Sequence, residues 1–163
     1  MSTVIRAIQQ DDLAEVIKIL NPYILNSAVT FDTQAYDVES RMPWFEQFSS
    51  HSRYQCLVAV NQQGVVAYAN SAPLKQKAAY DTSVEVSIYS NGAKGLGSQL
   101  YEALFAKLVE QDVHRAHALI TVPNEPSINL HKKFGFYEVG VLNQAGRKFD
   151  QYYDVCWMEK RLR

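Results

Sequence analysis

The chain has 163 residues, 47% hydrophobic and 20% charged, with sixteen Lys and Arg against seventeen Asp and Glu for a net charge of -1. That length suits one core rather than two, so residues 1–163 read as one domain. The even charge balance removes the basic patch or stripe that nucleic-acid binding needs. No apolar run approaches the ~20 residues that span a bilayer, and MSTVIRAIQQ lacks the apolar core of a signal peptide, so a cytoplasmic protein with no membrane partner is expected.

Residues 3–8 (TVIRAI) read as a first strand. Leu13, Val16, Ile17, Leu20 and Ile24 then form a helical stripe, with Asp12 and Glu15 at the spacing of a capping box. NPYILNSAVTFDT holds a proline among Asn, Ser and Thr and predicts a helix end followed by a long ordered loop. Met42, Phe45 and Phe48 place a second helix over 38–49. CLVAV and VVAYA, joined by NQQG, predict a hairpin whose Gly64 takes a turn conformation other residues resist.

In VEVSIYSNGAKGLGSQLYEAL the period changes midway. Val84, Val86 and Ile88 alternate with Glu85, Ser87 and Tyr89 as in a strand; beyond Gly97, Leu100, Leu104 and Leu108 recur every four as in a helix reaching about residue 112. HALITV is a short apolar strand. EPSINLHKKFGF is a short helix with Pro126 in its first turn and Gly135 where a left-handed residue ends it. YEVGVL and YYDVCWMEKRL close the chain as strands. Strands paired first by a hairpin and later separated by helices imply an α/β fold, a mixed sheet with helices on both faces. A ligand crevice belongs at the carboxyl end of a central strand, where residues 89–97 lie.

Cys56 and Cys156 sit in apolar, strand-like surroundings and read as reduced core thiols. His51, His114, His117 and His131 are scattered and no Cys stands at ligand spacing, so no metal is expected.

The turn GAKGLG opens a helix, whose unpaired N–H groups attract phosphate, and Gly92, Gly95 and Gly97 leave the approach clear. The dinucleotide fingerprint fails because Leu100 holds its third glycine position, and the ATPase phosphate loop fails because no Lys precedes Ser98. A pyrophosphate arm of coenzyme A and a plain tight turn with close helix packing both remain.

The later segment PNEPSINLHKKFGF, with its Asn, Ser, His and closing Gly-Phe, resembles the second coenzyme A segment of the GNAT acetyltransferase superfamily. More narrowly, NPYILNSAVTFDT, the cluster of Arg41, Trp44 and Phe45, VEVSIY, NEPSINLHKKFGF, and GRKF followed by Asp154 stand in the order of the phosphinothricin and methionine sulfoximine N-acetyltransferases. That resemblance implies a GNAT fold of about six to seven strands. It also implies acetyl-CoA as cosubstrate, glutamate-like amino acid analogues as acceptors, direct amine attack in a ternary complex, and a homodimer to which the aromatic segment near Tyr152 would contribute.

Under this resemblance the backbone of Gly92, Ala93, Lys94, Gly95, Leu96 and Gly97 would hold the pyrophosphate, and Ser87, Ile88 and Tyr89 would pair with the pantetheine arm. Asn124, Ser127 and Lys133 would add to the same site; Asn124 is equally a good helix N-cap, and both roles are compatible. Glu85 is the candidate base for an amine that is largely protonated at neutral pH; it would otherwise bind the ammonium or sit in a salt bridge. A backbone N–H between Ser87 and Tyr89 would meet the oxyanion. His131 would protonate the leaving thiolate, or else be a satisfied packing histidine. Lys75 and Lys77 are candidates for the anionic groups of the substrate, or belong to a solvated basic loop, while Phe31 and Tyr80 would line the cleft.

Two features depart from the family pattern. The turn after Tyr89 is about three residues shorter than usual, with Gly92 where a Gln or Arg is common, and GRKFDQYYD carries Asp150 and Tyr152 where Gly and Trp are common. Two competing readings are an acetyltransferase for another small amine or a protein N-terminus, and an acyl-CoA-binding sensor without turnover.

Overall fold

The computed structural model describes residues 2–163. In chain order the elements are β1 (Val4–Ala7), α1 (Leu13–Asn26), α2 (Val38–Glu46), β2 (Cys56–Asn61), β3 (Gly64–Pro73), β4 (Ser83–Ser90), α3 (Leu96–Leu108), β5 (Arg115–Val122), α4 (Glu125–Lys133), β6 (Tyr137–Lys148) and β7 (Gln151–Arg161). The seven strands form one sheet in the order β1-β2-β3-β4-β5-β7-β6. Every neighbouring pair is antiparallel except β4 with β5.

Successive strand residues face opposite sides of a sheet, and here the alternation sorts two different cores. Leu57, Ala59, Ala67, Ala69, Val84, Val86, Ala116, Ala118, Cys156 and Met158 face α3, whose Leu100, Leu104 and Leu108 are fully buried against them. Phe134 of the chain just after α4 packs on the same side. Val58 and Tyr68 face the other way, toward Val16 and Ile19 of α1 and Trp44 of α2. This is the mixed α/β sheet with helices on both faces that the sequence implies.

Several local expectations are revised. Helix α1 runs through Pro22 to Asn26, so the loop expected within NPYILNSAVTFDT begins only after its sixth residue. The missing N–H orphans only the carbonyl of Lys18, an exposed residue that water can serve, while buried Leu20 and Ile24 hold the helix on the sheet. Asp12 and Glu15 do not form the capping box. Asp12 accepts the Gln9 N–H (2.8 Å) and both terminal nitrogens of Arg6 (2.6 and 2.9 Å), whereas Glu15 reaches across to the Val65 N–H (2.7 Å) at the β2–β3 hairpin. Strand β6 continues to Lys148, past the expected end at Leu142, because a bulge between Leu142 and Gly146 renews its pairing with β7. Helices α2 and α3 end three and about four residues earlier than read, at Glu46 and Leu108.

Gly64 takes φ +100 at the hairpin and Gly135 takes φ +85 after α4, as their turns require. Both cysteines are free and buried.

Candidate active site

Strands β4 and β5 pair over only three register positions, Ser83 with Arg115, Val84 with Ala116, and Glu85 with His117. Both continue well beyond, to Ser90 and Val122, so they diverge. Along residues 86–90 the edge of β4 facing the gap has no strand partner, and its backbone groups point into open space. Tyr23 of α1 pins the far end by donating its hydroxyl to the Ser90 carbonyl (2.6 Å).

A cavity of about 330 Å³ fills the gap, lined by Ser87, Ile88, Tyr89, Gly97, Asn124, Ser127 and His131 among others. The expected cofactor residues are thus brought to one place. Gly92, Ala93, Lys94, Gly95 and Leu96 form the turn at its end without lining it; Gly92 and Gly95 take φ +102 and +79, and a Cβ at either would meet nothing. At Gly97 a Cβ would press on Leu130 (3.3 Å) and Ile88 (3.5 Å), so close helix packing explains this glycine without any ligand. The Asn124 side chain caps α4 by accepting the Ser127 N–H (3.3 Å), which leaves its amide NH₂ for another partner. Lys133 donates to the Ser98 hydroxyl (2.9 Å) and so stands beside the first turn of α3, whose amides have no acceptor within the helix.

His131 is 3% exposed. Its Nδ1 lies 2.7 Å from the Ser127 carbonyl, an acceptor, so Nδ1 carries the proton and Nε2 accepts from the Tyr101 hydroxyl (2.8 Å). Burial lowers its pKa, partly offset by that carbonyl, and so favours the neutral ring. In this arrangement Nε2 holds no proton to give.

The second cavity, about 500 Å³, lies on the α1/α2 face and shares Val29, Ser87, Tyr89 and Leu119 with the first. Glu85 lines it, as does Phe31. Burial raises the Glu85 carboxyl above the usual range, and the Lys75 ammonium pulls it part of the way back. Lys75 sits over the Trp157 ring (5.9 Å). Lys77 stands at the N-cap position of the short turn Ala78–Tyr80, and neither Lys77 nor Tyr80 lines either of these two cavities.

The sequence reading assigned no role to several residues that line this second cavity: Thr30, Asp32, Arg41, Tyr68, Asn70 and Thr121. Lys148, 5% exposed, was also missed; it donates to the Thr30 carbonyl (2.8 Å) and fastens the loop after α1. A strand pattern could have flagged Asn70, which shares a face with Tyr68 two positions away. Arg41 beside Trp44 at i,i+3 was visible as a cluster, but its direction was not.

A family model described as an acetyltransferase (GNAT) domain matches residues 5–157. The chain is 40% identical over 158 residues to a phosphinothricin N-acetyltransferase of Streptomyces coelicolor, covering 94% of this chain and 92% of that one. It is 31% identical over 166 residues to an L-methionine sulfoximine/L-methionine sulfone acetyltransferase of Pseudomonas paraeruginosa, covering 99% and 96%. Among solved structures, a GNAT superfamily phosphinothricin acetyltransferase from Sinorhizobium meliloti in complex with acetyl-CoA superposes with TM-score 0.91 at 25% identity, covering 99% of this chain and 89% of that one.

Proposed function

The chain belongs to the GNAT acetyltransferase family and is an acetyl-CoA-dependent N-acetyltransferase; from that premise we propose that it acetylates the α-amine of glutamate-like amino acid analogues, phosphinothricin, methionine sulfoximine and methionine sulfone among them. The reaction is direct amine attack in a ternary complex. The observation that carries this reading is the meeting of two cavities where β4 and β5 part, one lined by the coenzyme A segments and the other by Glu85.

Acetyl-CoA supplies the activated acetyl group. The unpaired edge of β4 over residues 86–90 offers backbone groups to the pantetheine amides, and the first-turn amides of α3 with the glycine turn offer donors to the pyrophosphate. Asn124, Ser127 and Lys133 add side-chain contacts to that arm. The raised carboxyl of Glu85 accepts the proton of the substrate ammonium from the α1/α2 side. A backbone N–H within residues 87–89 meets the oxyanion. The leaving thiolate, from a thiol of pKa ~8.5, needs little help near neutral pH. A proton from His131 would require its ring to give up the Ser127 bond, so its assistance is small.

Lys75 lies close enough to influence Glu85 and suits the α-carboxylate, which shares a carbon with the amine. The whole chain works as one cytoplasmic unit, and no described helix is long and apolar enough to cross a membrane. Its homodimer contact is the exposed apolar surface of β6 and its hairpin, with Val139 55%, Phe149 53% and Tyr152 61% exposed; light scattering at the mass of one chain would remove it.

The test is release of free thiol from acetyl-CoA by the purified protein with phosphinothricin, methionine sulfoximine, methionine sulfone, ordinary amino acids and an amine-free blank. Release that depends on the analogues supports the reading. Release no faster than the blank with every amine overturns it.

A further inference from the structure

The Arg41 guanidinium lies over two aromatic rings, with its Cζ 4.5 Å from the Tyr36 ring centroid and 4.1 Å from that of Trp44. Both rings are themselves fixed. Asn21 brackets Tyr36 by bonding its N–H (3.0 Å) and its carbonyl (2.9 Å), and Trp44 packs edge-on against Phe48 (4.8 Å) and Tyr68 (5.9 Å). Stacking occupies the faces of a guanidinium and leaves its in-plane donors free. Its Nε is buried without an acceptor among the described residues, while the Tyr36 hydroxyl lies close to both Arg41 and Asp32. Asp32 lines the same cavity yet forms no ion pair with Arg41. A second buried group without a partner among the described residues is the hydroxyl of Tyr68, a residue that lines that cavity too.

A cation held between two rings, with its Nε–H unused, is preorganised for a planar or tetrahedral anion. Its place says which one. Tyr68 pairs with Tyr89 and Ala72 with Glu85, so the Tyr68 end of the cavity lies four residues along β4 from Glu85, about 13 Å less the reach of the side chains. The amine and α-carboxylate share a carbon and stay near Glu85 and Lys75. What arrives at Arg41 is a group several bonds away.

We propose that Arg41 is a specificity-determining residue that reads an anionic head at the far end of an amino acid substrate, assisted by the Tyr68 hydroxyl, so that the preferred substrates are acidic amino acids and their phosphinate-type analogues over those with neutral heads. This rests on the acceptor class proposed above and deepens it.

Phosphinothricin and methionine sulfone share the α-amine and α-carboxylate and differ in the charge of the head. Calorimetric titration of the full chain with coenzyme A present, for the wild type, Arg41→Gln and Arg41→Lys, reads affinity without turnover. Arg41→Gln is expected to weaken phosphinothricin about 10- to 100-fold, the worth of hydrogen bonds to a charged group, and methionine sulfone by less than about 3-fold; Arg41→Lys falls between for phosphinothricin alone. The ratio of the two ligands within one protein cancels any loss of folded material. Equal weakening of both ligands, no weakening of either, or a wild type that binds neither overturns the inference. Failure of the wild type to release thiol with any analogue would sink the acceptor class separately, because binding does not depend on turnover.

Discussion

The two faces of the sheet are built from the same strands and solve different problems. On the α3 side twenty buried residues form one continuous apolar cluster, against which the buried His131 packs through Tyr101 and Phe136. On the α1/α2 side the cluster is small and aromatic, and beside it stand Glu85, Arg41, Asp32 and a Tyr68 hydroxyl without a partner. Alternation along each strand makes this possible, since one residue serves packing and the next serves chemistry. The larger buried cluster lies on the α3 face, and the carboxylates and the guanidinium that line the second cavity lie on the other.

The strongest test of that division is Glu85→Gln. Loss of a positioned general base costs about 100-fold or more in kcat, with little change in melting temperature. The wild type should lose kcat/KM as pH falls through the Glu85 pKa, because only the carboxylate accepts a proton. Burial raises that pKa, so this limb lies above the usual carboxylate range, and it should vanish in the variant. A pH profile that keeps the limb in Glu85→Gln would assign the base elsewhere.

Leu104→Ala and Tyr68→Phe compare the faces directly. The first opens a cavity in the apolar cluster and should cost about 2–5 kcal/mol in denaturant unfolding, with activity per folded molecule retained. The second deletes a buried hydroxyl that has no partner and should leave stability unchanged or raise it by up to about 1 kcal/mol, while weakening an anionic substrate. His131→Gln sits between the faces. With Nε2 already accepting from Tyr101, its loss should slow turnover less than about 10-fold, below the usual range for an acid–base group, and leave the pH profile unaltered. The smallest effect is expected at the β6–β7 turn, where Phe149 (φ +52) and Asp150 (φ +58) both take left-handed conformations. Asp150→Gly should stabilise by about 0.5 kcal/mol, because the exposed ion pair of Asp150 with Arg147 contributes little.

The α3 face was legible because its signals are local. Leucines at every fourth position and Val84, Val86 and Ile88 in alternation name their own neighbours, and Gly64 and Gly135 mark turns by backbone need alone. Glu85 was also legible, since facing away from those valines follows from parity. The departure of Asp150 from the family pattern likewise has a local explanation, a left-handed turn position that glycine fills at less cost. What the sequence hid depends on distant partners. Glu15 serves a hairpin fifty residues away, and Lys148 secures Thr30 across 118 positions. Arg41 reads as an ordinary helix-surface cation until Tyr36 is seen against it. In the lysine loop, read either as holding the anionic groups of the substrate or as a solvated basic loop, Lys75 lies over the Trp157 ring and Lys77 lines neither of the two cavities.

The parting of β4 and β5 has a thermodynamic side as well. A strand edge left open through the middle of a sheet is a deficit in cohesion, and a ligand that binds along it acts as a missing strand present only when bound. Binding to the folded state alone adds about 2.7 kcal/mol at a hundredfold excess over Kd, a large share of the roughly 5–15 kcal/mol that holds a domain together. Occupancy of the gap between β4 and β5 is therefore coupled to the stability of the whole sheet, and the melting temperature should rise with the concentration of any ligand that binds there.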